Sequence, residues 1–239
     1  MDAGSIARGV SIYAMPVLMA IILHEVAHGW VAEKFGDSTA RRMGRITLNP
    51  ISHIDPIGTV VLPLILIVMN SPFLFGWAKP VPVNFAALRN PKRDMVWVSL
   101  AGPGTNFTLA LFSAILLRLV LVVEPSAWSF AQDTELAPAA LREVGLGISF
   151  LVPIVLMLKA SILINCVLMV LNLIPVPPLD GGRVAVGLLP PNAAYSYSRV
   201  EPFGIFIVMA LIFFLPPTQY LFNGIIRLFV LLFYYIALY

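Results

Sequence analysis

The chain has 239 residues, of which 59% are hydrophobic and 11% charged, and its formal net charge is +3. Soluble domains carry about 25% charged and about 45–50% apolar residues, so composition excludes a water-soluble globular protein. Its 15 basic and 12 acidic residues form no basic cluster, which leaves no footprint for a nucleic-acid partner.

Several apolar runs approach or exceed the ~20 residues that cross a hydrocarbon core, so an all-α polytopic membrane protein of about five to six membrane segments is expected. The short alternating segments of a transmembrane β-barrel do not appear. The first predicted helix covers residues 10–33. Its only early base is Arg8, balanced by Asp2, and no small-residue cleavage site follows, so it reads as a retained helix. Gly36 and Asp37 end it. Residues 34–55 are polar, and "RRMGRITLNP" predicts a short strand ending at Pro50. Residues 56–76 are apolar but hold Pro56, Pro63 and Pro72, which suits a re-entrant or interfacial piece. Residues 77–94 are polar again, with "KPVPV" extended, so a re-entrant or β-hairpin element is expected between the first and second long helices. The second long helix is predicted at 95–123 and the third at 147–174, separated by an acidic loop at 124–146. Two apolar runs, near 203–215 and 221–239, predict a C-terminal helical hairpin. The whole reads as one membrane domain, 1–239, with a core at about 10–190.

Loops 34–55 and 77–94 carry four bases each, so the positive-inside rule places both in the cytoplasm and the acidic loop outside. The far end of the third helix then lies at the depth of His28. Cys166, the one cysteine, permits no intramolecular disulfide and reads as a small buried or lipid-facing hydrophobe.

"IILHEVAHGW" puts His24, Glu25 and His28 inside the first apolar run. An ionisable group at bilayer depth costs on the order of 2.5–3.5 kcal/mol, so three together need compensation. Residues four apart on a helix are one turn and about 40° apart, so both imidazoles reach one ion, which would supply it. Glu25 falls beside them, placed to activate a water rather than to ligate. This is the H-E-x-x-H pattern of zinc peptidases. Catalytic zinc usually takes three protein ligands plus water, so a third ligand must come from elsewhere. Asp180 in "PPLDGGR" is the leading candidate, because it follows the third helix on the same face of the membrane. The bland reading of an Asp before Gly-Gly is a turn or N-cap residue.

"HEVAH", "AGPGTN" and "NLIPVPPLDGGR" together resemble the site-2 protease family of intramembrane zinc metalloproteases. "LNPISHIDPIGT" and "GWAKPVPVN" further resemble its compact bacterial-type branch, without an inserted PDZ-like or a C-terminal CBS domain. The resemblance implies one zinc ion per chain held by His24, His28 and Asp180, with Glu25 as catalytic base. It implies Asn172 as a donor to the developing oxyanion, against a plain helix-end hydrogen bond. It also implies transmembrane or membrane-associated protein substrates, and a bacterial plasma membrane with the active site towards the cytoplasm. The sequence does not give the oligomeric state.

Other polar residues carry further readings. Asn106 is expected to hydrogen-bond between helices, with Gly102 and Gly104 allowing close approach. His53 reads as a second-layer or gating residue, a resting-state ligand, or a loop histidine, and Asp55 is a candidate to orient an imidazole. The strand near 43–48 and the extended 79–83 could pair with an opened substrate segment, or simply with each other. Lys159, near the middle of the third helix, has no evident partner, and Arg118 is expected to snorkel outward. Intramembrane His, Glu and Asp also suit a metal or solute transporter, but the chain lacks repeated hydropathy halves. An inactive scaffold is the third class, and the presence of every residue needed for catalysis argues against it.

Overall fold

The computed structural model describes residues 3–69, 76–132 and 145–239. All regular structure among them is helical. In chain order the helices are α1 (Ala3–Lys34), α2 (Thr39–Arg42), α3 (Leu62–Val68), α4 (Pro91–Val123), α5 (Ser126–Phe130), α6 (Leu146–Asn172), α7 (Asp180–Leu188), α8 (Pro191–Ser198), α9 (Glu201–Phe213) and α10 (Pro216–Leu238). Short 3₁₀ turns cover Pro50–His53 and Phe85–Ala87, and a π-helical turn, Pro56–Val61, leads into α3.

Among the described residues, four helices are long and apolar enough to cross a membrane: Ala7–Lys34, Pro91–Val123, Gly147–Asn172 and Pro216–Leu238. A fifth span results if α8 and α9, bent by 70°, count as one. That is at the low end of the expected five to six. The run after Glu201 forms only 13 helical residues, roughly 20 Å at 1.5 Å per residue, which is short of a hydrocarbon core. Large apolar side chains such as Phe206 and Leu228 stand exposed on the apolar helices, as lipid contact requires.

The chain forms two compact units. Met1–Ala20, Asn106–Asn172 and Phe206–Tyr239 make the first. There α6 packs against α5 and α10. Its core sets Ala110, Ala114, Ala127, Ala131 and Ala237 against Leu117, Ile162 and Phe233. In a membrane the small residues let backbones approach, since apolar burial alone does not separate protein from lipid. Cys166 is buried in this core. A polar ladder runs through the same unit. Asn106 Nδ2 donates to Asn165 Oδ1 at 2.8 Å and to the Ala20 carbonyl at 3.3 Å. Asn165 Nδ2 donates to the Ser161 carbonyl at 2.9 Å, and the Ser161 and Ser113 hydroxyls lie 2.8 Å apart. Asn106 therefore bonds between helices, as its sequence position suggests. Arg118 reaches the Ile236 carbonyl at 3.2 Å.

Ile21–Thr105 and Leu173–Ile205 make the second unit. Two glycine-terminated helix ends shape it. After α1, Asp37 N–H donates to the Ala32 carbonyl and Gly36 N–H to that of Glu33, with Gly36 at φ +113°. After α2, Arg45 N–H donates to Ala40 and Gly44 N–H to Arg41, with Gly44 at φ +64°. Both are Schellman endings, which a left-handed glycine accommodates without a Cβ penalty. Asp37 then ties distant segments together. Its Oδ1 accepts from the Thr39 amide at 2.9 Å, and its Oδ2 accepts from the Asn84 amide at 2.6 Å. Asn90 precedes α4, Pro91 opens it, and Asp94 reaches back to the Asn90 N–H at 2.8 Å, a capping-box-like start.

The predicted strand ending at Pro50 is not a strand. Arg41 and Arg42 belong to α2, and residues 43–49 form turns whose amides bond locally, as in Asn49 N–H to Thr47 Oγ1. Residues 77–83 form no regular structure and pair with no strand among the described residues; Pro80 and Pro82 lack the N–H groups a ladder needs. The apolar piece after Asp55 is a π turn followed by α3, with residues 70–75, including Pro72, outside the described residues. Most of the acidic loop, 133–144, lies outside them too.

Candidate metal centre

Within the second unit, α1 presents His24 and His28 on one face, one turn apart. The segment after α6 brings Asp180 to them. Residues 175–178 hold three prolines and cannot continue the helix, and α7 then starts at Asp180 itself. Gly181 and Gly182 pack against the backbone of Leu173–Pro177, where a Cβ on either would overlap main-chain atoms. Asp180 is the first residue of α7 rather than its N-cap, and Leu179, which holds that place, makes no side-chain cap. The carboxylate points to the imidazoles instead.

The three side chains converge. Asp180 Oδ2 lies 3.2 Å from His24 Nε2 and 3.3 Å from His28 Nε2, and the two Nε2 atoms are 3.1 Å apart. A tetrahedral site with bonds of about 2.0–2.1 Å has ligand–ligand edges of about 3.3–3.4 Å, so these separations match three corners of one coordination sphere. Asp180 Oδ2 is also buried without a hydrogen-bond partner, an arrangement a protein rarely keeps unless a cation completes it. His28 Nδ1 lies 2.7 Å from the Val98 carbonyl. A carbonyl only accepts, so the proton sits on Nδ1 and the Nε2 lone pair faces the centre. The residues present fit a bound divalent metal.

Gly102 on α4 faces the same point. A Cβ there would lie 2.5 Å from His24 Cε1 and 2.6 Å from its Nε2, with His28 Nε2 nearer still. The missing side chain keeps open the volume beside the donors. Glu25 is not one of the three converging donors, and its Oε2 accepts the Val81 N–H at 2.7 Å. Between Pro80 and Pro82, Val81 holds the one N–H of the three residues, and it is spent on Glu25. The 77–81 segment is anchored by Trp77 N–H to Gly58 and Lys79 N–H to His53, and Arg45 donates to the Lys79 carbonyl.

The remaining candidates fall elsewhere. His53 is buried, bonds the Thr47 carbonyl through Nε2 at 2.9 Å, and is not among the three converging donors. Asp55 does not orient an imidazole. It caps the π turn, accepting from Ile57 and Gly58 N–H at 3.0 and 2.7 Å, a local bond available to any Asp two residues before such amides. Asn172, at the end of α6, donates to the Leu168 carbonyl at 3.0 Å. Sequence reasoning missed the Val98 carbonyl and the Val81 N–H, since backbone groups carry no residue-type signal. The proline on each side of Val81 was the available hint.

A polytopic, all-helical membrane protein with a histidine–histidine–aspartate donor set is the class these observations define. The family model described as "Peptidase family M50" matches residues 12–215. The chain is 38% identical over 204 residues to the Bacillus subtilis protein described as "Putative zinc metalloprotease YwhC", covering 85% of this chain and 80% of that one. It is 28% identical over 195 residues to "Putative zinc metalloprotease Rip2" of Mycolicibacterium smegmatis, covering 82% of this chain and 64% of that one. The Mycobacterium tuberculosis Rip2 match is 28% over 202 residues, covering 84% of this chain and 65% of that one. No solved structure matches the chain. The chain belongs to peptidase family M50, the site-2 proteases; it is a membrane metalloprotease, and its cofactor is zinc.

Proposed function

We propose that this chain hydrolyses peptide bonds of transmembrane or membrane-associated proteins, with His24, His28 and Asp180 holding one zinc ion and Glu25 acting as general base. The observation that carries the reading is the convergence of three donors at 3.1–3.3 Å around a buried, unpartnered carboxylate oxygen. Bound there, zinc would polarise the scissile carbonyl and make a water more acidic. Glu25 takes a proton from the attacking water and returns it to the departing amine, so water and one peptide bond become a carboxylate and an amine. The Val81 N–H holds one Glu25 oxygen in place and leaves its other lone pairs for that transfer. Gly102 leaves room for the reacting groups. Asn172 is assigned to the developing oxyanion. Its amide has two N–H groups, one of which is engaged by Leu168, so the other can donate.

Two basic loops favour a cytoplasmic position for this site, and the resemblance to the compact bacterial branch favours a bacterial plasma membrane. The test is cleavage of a reconstituted transmembrane substrate by the wild type and by Glu25→Gln. The wild type is expected to cut and the variant to lose at least ~10²-fold in rate while keeping its zinc. Cutting at the wild-type rate by Glu25→Gln would remove Glu25 from the mechanism. Zinc flux through vesicles that survives the change would instead favour a transporter.

A further inference from the structure

Arg45 is a buried cation in the second unit, 7% exposed. The Schellman ending of α2 puts it there, with Gly44 in the left-handed region just before it. Its Nη2 donates to the Lys79 carbonyl at 2.7 Å, and its Nε is buried without a hydrogen-bond partner. No described carboxylate pairs with the guanidinium. A desolvated cation without a counter-ion is a poor way to stabilise a fold, and an apolar side chain of similar volume would serve better. Lys159 has partners too, the Ala131 carbonyl at 3.1 Å and the Trp128 ring, but neither leads to Glu25. Arg45 does lead there. Lys79 N–H donates to the His53 carbonyl at 2.9 Å, so the N–H and the C=O of Lys79 are both fixed. His53 in turn bonds the Thr47 carbonyl through Nε2 at 2.9 Å, which closes a circuit two residues from Arg45. Beyond Pro80, Val81 donates its N–H to Glu25 Oε2 at 2.7 Å. The Val81 side chain seats on α1 at Gly29, where a Cβ would lie 2.8 Å from Val81 Cγ1. The Pro80 ring fixes φ, so a single soft dihedral, the ψ of Pro80, separates the Lys79 carbonyl from the Val81 N–H.

We infer that Arg45 is a positioning residue for peptide hydrolysis. Its guanidinium sets the Lys79 carbonyl, the Lys79 carbonyl sets the Val81 N–H through Pro80, and that N–H sets the Glu25 carboxylate. The inference rests on the general-base reading of Glu25. With Lys79 held, Glu25 keeps one orientation; with Lys79 released, the carboxylate samples others. Misplacing a group that acts on the reacting atoms slows the chemical step, while the metal donors and the substrate contacts stay as they are. Arg45 therefore acts on kcat.

Full-length protein in detergent would be assayed for bound zinc and for cleavage of a transmembrane substrate. Arg45→Met keeps an apolar stem and removes the donor, whereas Arg45→Lys keeps a donor. Arg45→Met is expected to lower kcat about tenfold with KM and zinc content unchanged, and Arg45→Lys to recover most of that loss. In a Glu25→Gln background Arg45→Met should cost nothing further, because the group it positions is already gone. If Arg45→Met fails to fold, Val81→Pro removes the N–H itself and carries the same expectation in both backgrounds. Wild-type kcat in Arg45→Met, or in Val81→Pro, overturns the inference. So does a tenfold loss that persists in the Glu25→Gln background, or an effect confined to KM or to zinc content. An unchanged Arg45→Met beside a slow Glu25→Gln defeats this inference alone. Glu25→Gln cutting at the wild-type rate defeats the general-base reading, and the inference with it.

Discussion

Gly102 shows how much of the metal centre depends on an atom that is absent. His24 and His28 are set by helix spacing, and a reader of "HEVAH" finds them without a structure. Gly102 reads in sequence only as a residue that lets helices approach, because nothing in "AGPGTN" says what it faces. The structure puts its Cα against both imidazoles, where a methyl group would occupy the space beside the donors. Gly102→Ala is expected to lower bound zinc at least about tenfold while the helix content stays that of the wild type, since alanine is the better helix former. Elemental analysis and circular dichroism on one preparation check both halves. Full zinc occupancy in that variant would mean that the space beside the imidazoles is not needed.

Among the elements, the three long helices were legible because composition and length suffice to identify a span, although α1 begins at Ala3, well before the expected residue 10. The 34–90 region was not. Its turns are made by Schellman endings and by side chains bonding backbone, and "RRMGRITLNP" has strand-like composition without a partner strand. Asp37 is the clearest case. Burial works against its charge, but hydrogen bonds from the Thr39 hydroxyl and amide and from the Asn84 amide outweigh that and hold it below the ordinary carboxylate range. A carboxyl with a lowered folded-state pKa contributes stability above its unfolded value of ~3.9, and loses that contribution as pH falls through the folded value. Asp37→Asn should therefore destabilise the protein by about 1–3 kcal/mol at neutral pH. It should also flatten the acid side of the stability–pH curve. Thermal melting of both proteins between neutral pH and pH 3 measures this, and parallel acid limbs would show that Asp37 is not a source of the acid sensitivity.

At the scale of the whole molecule, composition alone separates this chain from soluble proteins, and the family could be recognised from motifs at residues 24–28, 101–106 and 172–183. What the sequence could not supply was distance. Asp180 had two readings, ligand or turn residue, and the proximity of its oxygen to the imidazole nitrogens, 3.2 and 3.3 Å, supports the proposed ligand role. The span count was similarly open, because a 13-residue apolar helix after Glu201 looks the same in sequence whether it crosses alone or with α8. Two elements far apart in sequence, α1 and α7, are proposed to build one zinc site. Zinc per chain in the detergent-purified wild type and in Asp180→Ala, by elemental mass spectrometry, tests it most directly. Close to one zinc per chain is expected in the wild type and a large loss in the variant. An unchanged zinc content in Asp180→Ala would contradict it.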